Sequence, residues 1–241
     1  PKPSARIIGA RGAAFAERLG RATGKSLRSM GVNVDLAPVL DLGRPGRAIF
    51  EEGRTFARRP GAVARVGVGF ARGLAAGGVV AAAKHFPGLG AARINTDNAV
   101  QRIRLPAGKL RRNDERPYAS FARANGAMVM LSTAIYPALS GTPAALSRAI
   151  ATGELRDRLG FRGVSITDAL GSVSARAVGG PGKTATAAAA AGTDLVLYTS
   201  LGDAAKAQRA LARGLSSGSL DRAEFEASVN RVLALRGGFS G

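Results

Sequence analysis

The stretch at residues 78–90 reads Gly78-Val79-Val80-Ala81-Ala82-Ala83-Lys84-His85-Phe86-Pro87-Gly88-Leu89-Gly90 and contains the only histidine of the 241 residues. Its small apolar first half predicts a buried strand, with Lys84 and His85 at the carboxyl end, before a Pro-Gly turn. A cation and an imidazole in this place are typical of the active-site rim of an α/β protein. The alternative is a histidine that caps the strand and bonds a backbone group.

Short β-branched runs alternate with longer amphipathic stretches on both sides of this strand. The pattern predicts strands at residues 32–37, 79–83, 127–131, 164–167 and 195–198, and helices at 13–30, 62–76, 106–124, 145–159, 184–191, 204–215 and 221–235. Repeated strand–helix units with buried strands imply a parallel sheet with helices outside. Five units are visible and the chain opens on a helix, which predicts a (β/α)8 barrel without its first portion, or an open sheet.

Composition narrows the possible functions. Hydrophobic residues make up 46% of the chain, enough for a substantial core, and the absence of cysteine excludes disulfides and thiolate metal sites. No apolar run approaches the ~20 residues that span a bilayer. The net charge of +19 suggests a polyanion, but aromatic residues are only 5% and do not interleave with the basic ones. We therefore expect no specific nucleic-acid binding. The net charge has two possible explanations. One is attraction to an anionic cell-wall polymer, and the other is GC-rich codon bias.

Polar residues collect where the predicted strands end. The first strand leads to Asp41, the second to Lys84 and His85, the third to Ser132-Thr133 and the fourth to Asp168. In a parallel barrel these positions share one rim, and the rim carries the chemistry. A single aspartate after a strand is commonly a helix N-cap, but an aspartate beside lysine and histidine is available as a nucleophile.

These residues resemble glycoside hydrolase family 3. The resemblance rests on ordered segments along nearly the whole chain, and the nearest subgroup is the bacterial β-N-acetylglucosaminidases, or β-hexosaminidases. The matching segments are residues 33–41, Gly53-Arg54-Thr55-Phe56, 84–88, Tyr136-Pro137-Ala138-Leu139, Leu146-Ser147-Arg148, 163–170, 191–197 and 228–233.

The resemblance implies a retaining glycosidase on a TIM (β/α)8 barrel. Asp168 takes the place of the nucleophile, and Arg54, Lys84 and His85 take the places of ligands for the sugar hydroxyls. Asp41 is the further substrate-binding candidate. No metal or organic cofactor is implied. The expected reaction is cleavage of β-linked N-acetylglucosamine or glucose through a covalent intermediate on Asp168.

Two departures from the family pattern matter. The family begins with two further strand–helix units, which this chain lacks. We therefore predict one barrel domain over residues 1–241 without its first one or two units. We also predict that the natural gene product is longer or that a second chain supplies the missing part. The family's loop Asp-Ser-His dyad corresponds to Asn95-Thr96-Asp97, and Leu89 and Thr133 stand where histidines are usual. Asp97 is the candidate acid/base if a closed loop raises its pKa, or a solvated turn residue if it does not.

A catalytically degenerate barrel that binds cell-wall carbohydrate is the alternative function. The expected location is secreted or at the cell envelope, with the cytoplasm as the alternative. The sequence does not determine the oligomeric state, the sugar or the aglycone.

Overall fold

The computed structural model describes residues 3–238, which form two compact units. Unit 1 contains the chain up to Arg93 together with Pro106–Met130. Unit 2 contains Ile94–Leu105 and the chain from Leu131 onward. The segment at residues 94–105 therefore packs with the second half of the chain.

Unit 1 contains the first three strands and the helices around them. Strands β1 and β2 pair in parallel, with Val34 opposite Val80, and β3 follows β2 in the sheet. Its elements are α1 (Ala5–Arg11), α2 (Ala13–Ser29), β1 (Val34–Asp35), α3 (Ala48–Glu51), α4 (Pro60–Ala76), β2 (Val80–Phe86), α5 (Ala107–Lys109), a π-helical turn (Leu110–Asp114), α6 (Arg116–Arg123) and β3 (Met128–Leu131), whose last residue belongs to unit 2.

Helices α2 and α4 pack with their backbones in direct contact. A Cβ added to Gly20 would lie 2.3 Å from the carbonyl oxygen of Phe70, and one added to Gly73 would lie 2.1 Å from that of Glu17. These distances are shorter than any real Cβ contact, so only glycine fits. The glycines lower intrinsic helix stability, and the close packing of the two helices offsets that loss.

We expect Gly73→Ala to lower the free energy of unfolding by about 2–3 kcal/mol, because the methyl group forces two rigid helices apart. Gly61→Ala on the same helix is the matched control, since its added Cβ would meet only the flexible end of Arg65 at 3.6 Å. The control should leave stability unchanged or raise it by up to about 1 kcal/mol. Urea denaturation measures both, and equal stability of the two variants would contradict the packing argument.

Unit 2 contains a hairpin, strand β6 and the last four helices. Strands β4 and β5 are antiparallel, and Leu195 forms a single parallel bridge to Ile166 of β6. Its elements are β4 (Ile135–Tyr136), β5 (Ser140–Pro143), a 3-10 turn (Ala144–Leu146), a π-helix (Ala149–Arg158), β6 (Val164–Thr167), α7 (Val173–Arg176), α8 (Pro181–Ala190), α9 (Leu201–Ser216) and α10 (Arg222–Gly237).

A buried aspartate joins the segments of unit 2. Asp194 accepts hydrogen bonds from Arg156 at 2.5 Å, from Arg231 at 2.8 Å and from the backbone N–H of Ser165 at 2.7 Å. Burial lowers the pKa of the Arg156 guanidinium, and Asp194 offsets part of that effect. The carboxylate thus ties the π-helix and α10 to β6.

The predicted α/β class is confirmed, and the described strands of neither unit close into a barrel. Three element predictions need correction. The strand expected at 195–198 is reduced to the Leu195 bridge, and the helices expected at 106–124 and 145–159 are interrupted by the π-helical and 3-10 segments. The single domain over 1–241 stays a prediction. Among residues 3–238, no helix has the length and apolar content to cross a bilayer.

Candidate active site

The segment after β1 runs alongside β2 and places Asp41 next to His85. The backbone N–H of Leu40 donates to the carbonyl of Lys84 at 2.7 Å, and the N–H of Lys84 donates to that of Pro38 at 3.0 Å. Val39 forms a parallel bridge with Lys84. The peptide bonds Lys84–His85 and Phe86–Pro87 are cis. Lys84 is half-buried within β2, so the strand continues three residues beyond the predicted strand end at Ala83.

Asp41 is completely buried and binds the strand end and the following turn together. Its Oδ2 lies 2.8 Å from Nδ1 of His85, and its Oδ1 accepts from the backbone N–H of Leu89 at 2.6 Å. A carboxylate only accepts, so these contacts assign the ring proton to Nδ1. The sequence predicted Asp41 as a sugar ligand, whereas here both of its oxygens are used by the protein.

Arg54 lies on the other side of the imidazole. Its guanidinium Nη2 is 3.3 Å from Nε2 of His85, and its Nη1 donates to Glu52 at 2.9 Å. Because arginine only donates, Nε2 accepts, in agreement with the tautomer that Asp41 selects. The structure therefore brings three of the predicted residues, Asp41, Arg54 and His85, into one hydrogen-bonded row. About a third of the Arg54 side chain is exposed, which leaves donors available to a ligand.

A second buried carboxylate supports the turn after His85. Asp114 is 1% exposed and forms an ion pair with Arg44 at 2.8 Å, and a Cβ on Gly88 would lie 2.8 Å from the Cβ of Asp114. Burial raises the pKa of the Asp114 carboxyl above its usual value, and the Arg44 guanidinium offsets part of the rise. Sequence reasoning missed Asp114, because it stands in a charged run, 111–115, that is typical of a solvated helix face.

In unit 2, Asp168 directly follows β6, as the sequence predicted. Its backbone N–H donates to the carbonyl of Leu131, also in unit 2, at 2.8 Å, which fixes the backbone of Asp168. Its Oδ1 accepts from the N–H of Ala169 at 2.8 Å, and the residue is half-buried. The side chain is thus oriented by the chain itself and still accessible.

Asp97 lies at an exposed position of the segment at residues 94–105. Its N–H donates to Oδ1 of Asn95 at 3.1 Å, which forms a turn closed by the asparagine side chain. Its carbonyl accepts from the N–H of Val173 at 3.4 Å, five residues after Asp168. The structure thereby joins the loop of the candidate acid/base to the segment that follows the candidate nucleophile. The described residues contain no group of three or more side chains that could hold a metal ion.

The model of the glycosyl hydrolase family 3 N-terminal domain matches residues 2–235 of the chain. The chain belongs to this family. Among curated proteins, it is 38% identical to a secreted glycosyl hydrolase of Arthroderma benhamiae, over 98% of this chain and 69% of that protein. It is 33% identical to a β-hexosaminidase of Chromobacterium violaceum, over 76% of this chain and 51% of that protein.

Two solved structures agree with this assignment. A β-N-acetylglucosaminidase from Paenibacillus sp. str. FPU-7 superposes with a TM-score of 0.95 and 30% identity, over 99% of this chain and 46% of that one. A β-N-acetylhexosaminidase from Beutenbergia cavernae superposes with a TM-score of 0.90 and 30% identity, over 98% of this chain and 72% of that one. The chain spans about half the length of the bacterial β-hexosaminidases it matches.

Proposed function

We propose that the protein is a retaining β-glycosidase that releases β-linked N-acetylglucosamine or glucose from a glycan. The observation that carries the proposal is Asp168, which follows β6 in a family 3 chain with Oδ1 held by its own loop and the residue accessible. A carboxylate oriented in this way can attack an anomeric carbon.

The proposed reaction has two steps. In the first, an oxygen of Asp168 forms a bond to the anomeric carbon while the glycosidic bond breaks, and the leaving oxygen takes a proton from the Asp97 carboxyl. In the second, water attacks the anomeric carbon, the ester bond to Asp168 breaks, and the Asp97 carboxylate takes the water proton. Each residue returns to its starting state, so no cofactor is consumed.

We propose that Arg54, Lys84 and His85 bind the hydroxyls of the sugar that is cleaved. Arg54 and Lys84 supply charged donors, whose hydrogen bonds are short and strong. His85 is 3% exposed, and its Nε2, the acceptor that now faces Arg54, is the atom it offers to a sugar hydroxyl. Asp41 does not contact sugar in this proposal. It orients His85 and the turn at Leu89, because its buried oxygens are already bonded to them.

We expect Asp97→Asn to slow hydrolysis according to the leaving group. On an N-acetylglucosamine disaccharide, whose alkoxide leaves only with a proton, kcat/KM should fall about 10²-fold. On a 2,4-dinitrophenyl glycoside, which leaves without a proton, the first step should be nearly unchanged. The exposed neighbour Asn98→Ala is the matched control and should leave both rates unchanged.

A turnover assay on the parent protein tests the alternative function, a catalytically degenerate barrel that only binds carbohydrate. The exposed position of Asp97, where relatives are expected to have a histidine, favours that alternative. No turnover of aryl N-acetylglucosaminide or aryl glucoside by a protein that binds the corresponding sugar would establish it.

We further propose secretion or retention at the cell envelope, where the charge of +19 attracts the chain to anionic cell-wall polymers. The Arthroderma benhamiae relative, described as secreted, supports this location. Fractionation of the source cells tests it, and recovery only from the cytoplasm would contradict it.

A further inference from the structure

Three buried hydroxyl residues within unit 2 connect Thr133 to the start of α7. We call Thr133, Ser172 and Ser174 the hydroxyl cluster; their exposures are 0%, 5% and 1%. The Ser174 hydroxyl donates to the backbone carbonyl of Thr133 at 2.7 Å, and the Ser172 hydroxyl donates to the side-chain hydroxyl of Thr133 at 3.3 Å. Ser172 also caps α7 by accepting from the N–H of Ala175 at 3.2 Å. The first turn of α7 is therefore fixed to Thr133 by side-chain hydrogen bonds.

The start of α7 in turn holds the loop of Asp97. The first N–H groups of a helix have no partner within the helix. Here the N–H of Ser174 donates to the carbonyl of Thr96 at 3.2 Å, and that of Val173 donates to the carbonyl of Asp97 at 3.4 Å. Thr96 is 1% exposed, so this attachment is shielded from water while the Asp97 side chain stays accessible.

We infer that Ser174 and Thr133 are positioning residues for Asp97. They fix α7, and α7 fixes the backbone of Asp97 within the unit that carries Asp168. The inference rests on the proposed acid/base role of Asp97. A cluster of hydroxyls serves this purpose because each one donates or accepts along a fixed direction without adding charge beside the carboxyl. Neither residue contacts substrate in this account.

The test compares Ser174→Ala with Asp97→Asn on the disaccharide and on the 2,4-dinitrophenyl glycoside. Ser174→Ala should lower kcat/KM about 10-fold on the disaccharide and less than about 2-fold on the activated substrate, since a displaced acid affects only proton transfer. In Ser174→Ala, the limb of the pH–rate profile that reports the acid group should also shift. Ser174→Thr, which keeps the donor, should restore the disaccharide rate.

Thr193→Val is the matched control. Thr193 is also buried in unit 2, and its hydroxyl donates to one backbone carbonyl, that of Ala145, at 3.0 Å. Its removal should change both substrates equally or not at all. To separate a misplaced loop from misfolding, the rate of covalent labelling of Ser174→Ala by an activated fluorosugar is measured, and it should match the parent.

The outcomes distinguish the two proposals. If Asp97→Asn is selective for the disaccharide and Ser174→Ala is equally harmful on both substrates, or harmless on both, the positioning role is wrong and the acid/base role stands. If Asp97→Asn shows no selectivity, the acid/base role is wrong and the positioning role falls with it. Selective loss in both variants, with rescue by Ser174→Thr, supports both.

Discussion

Asp168→Asn is expected to lower kcat by about 10⁴-fold or more, because the covalent route through the carboxylate is removed and only binding and proton transfer are left. Stopped assays on an aryl N-acetylglucosaminide and an aryl glucoside measure the loss. Sugar affinity should change little, since the proposed ligands Arg54, Lys84 and His85 are untouched. The fold should also persist, because the backbone N–H of residue 168 still donates to Leu131.

Asp168→Ala provides the matched chemical test. The smaller side chain leaves room for azide, a nucleophile that can take the place of the carboxylate. Added azide should restore turnover of a 2,4-dinitrophenyl glycoside and give a glycosyl azide of inverted configuration. The control position is Asp203, which lies in the first turn of α9 and pairs with Arg176 at 3.3 Å. Asp203→Ala should keep full activity and gain nothing from azide. Full activity in Asp168→Asn would refute the assignment.

Asp41→Asn is expected to lower kcat/KM by about 10³-fold, through His85 and not through contact with sugar. Both oxygens of Asp41 accept, one from His85 Nδ1 and one from the Leu89 N–H. An amide has a single accepting oxygen, so its NH₂ group must face one of the two donors. If the NH₂ group faces His85, the ring tautomer changes and the acceptor that His85 presents to Arg54 is lost. If it faces Leu89, the turn is displaced instead.

The protein offers an unusually direct readout of this effect. His85 is its only histidine, so a nitrogen-15 spectrum of a tag-free sample reports the ring of one residue. The parent should show the proton on Nδ1, and Asp41→Asn should shift it toward Nε2. Glu52→Gln, at the exposed end of the same row, is the control and should cost less than about 3-fold in rate. A parent protein with the proton on Nε2 would contradict the role given to Asp41.

The sequence predicted the elements whose local pattern and packing agree. The helix expected at 13–30 is observed at Ala13–Ser29, and β6 is observed at the predicted residues. The sequence-based prediction failed where a single backbone or side-chain contact determines whether a regular strand or helix forms. The run 195–198 has the composition of a strand, but the Leu197 N–H donates to the Thr167 hydroxyl and its carbonyl accepts from Leu170, so no regular ladder forms. Pro117 lacks an N–H, and the helix expected at 106–124 is broken before it.

The candidate site shows the same division. Strand-end positions made Asp168, His85 and Asp41 candidates, because residue type and order are visible in a sequence. The direction of a side chain is not visible, so the sequence predicts Asp41 as a sugar ligand, whereas the structure turns its oxygens toward His85 and Leu89. Asp114, Ser172 and Ser174 were not predicted from the sequence, since small or charged residues acquire a supporting role only through partners distant in sequence, such as Arg44 for Asp114 and Thr133 for Ser174.

Covalent trapping tests the central claim most directly. The parent protein is incubated with an activated 5-fluoro N-acetylglucosaminide and with an activated 2-deoxy-2-fluoroglucoside, then digested and sequenced by mass spectrometry. The account predicts one label per chain, on Asp168, formed at the rate of inactivation and absent from Asp168→Asn. A label on another residue, or no label under conditions that inactivate a known retaining glycosidase, would contradict it.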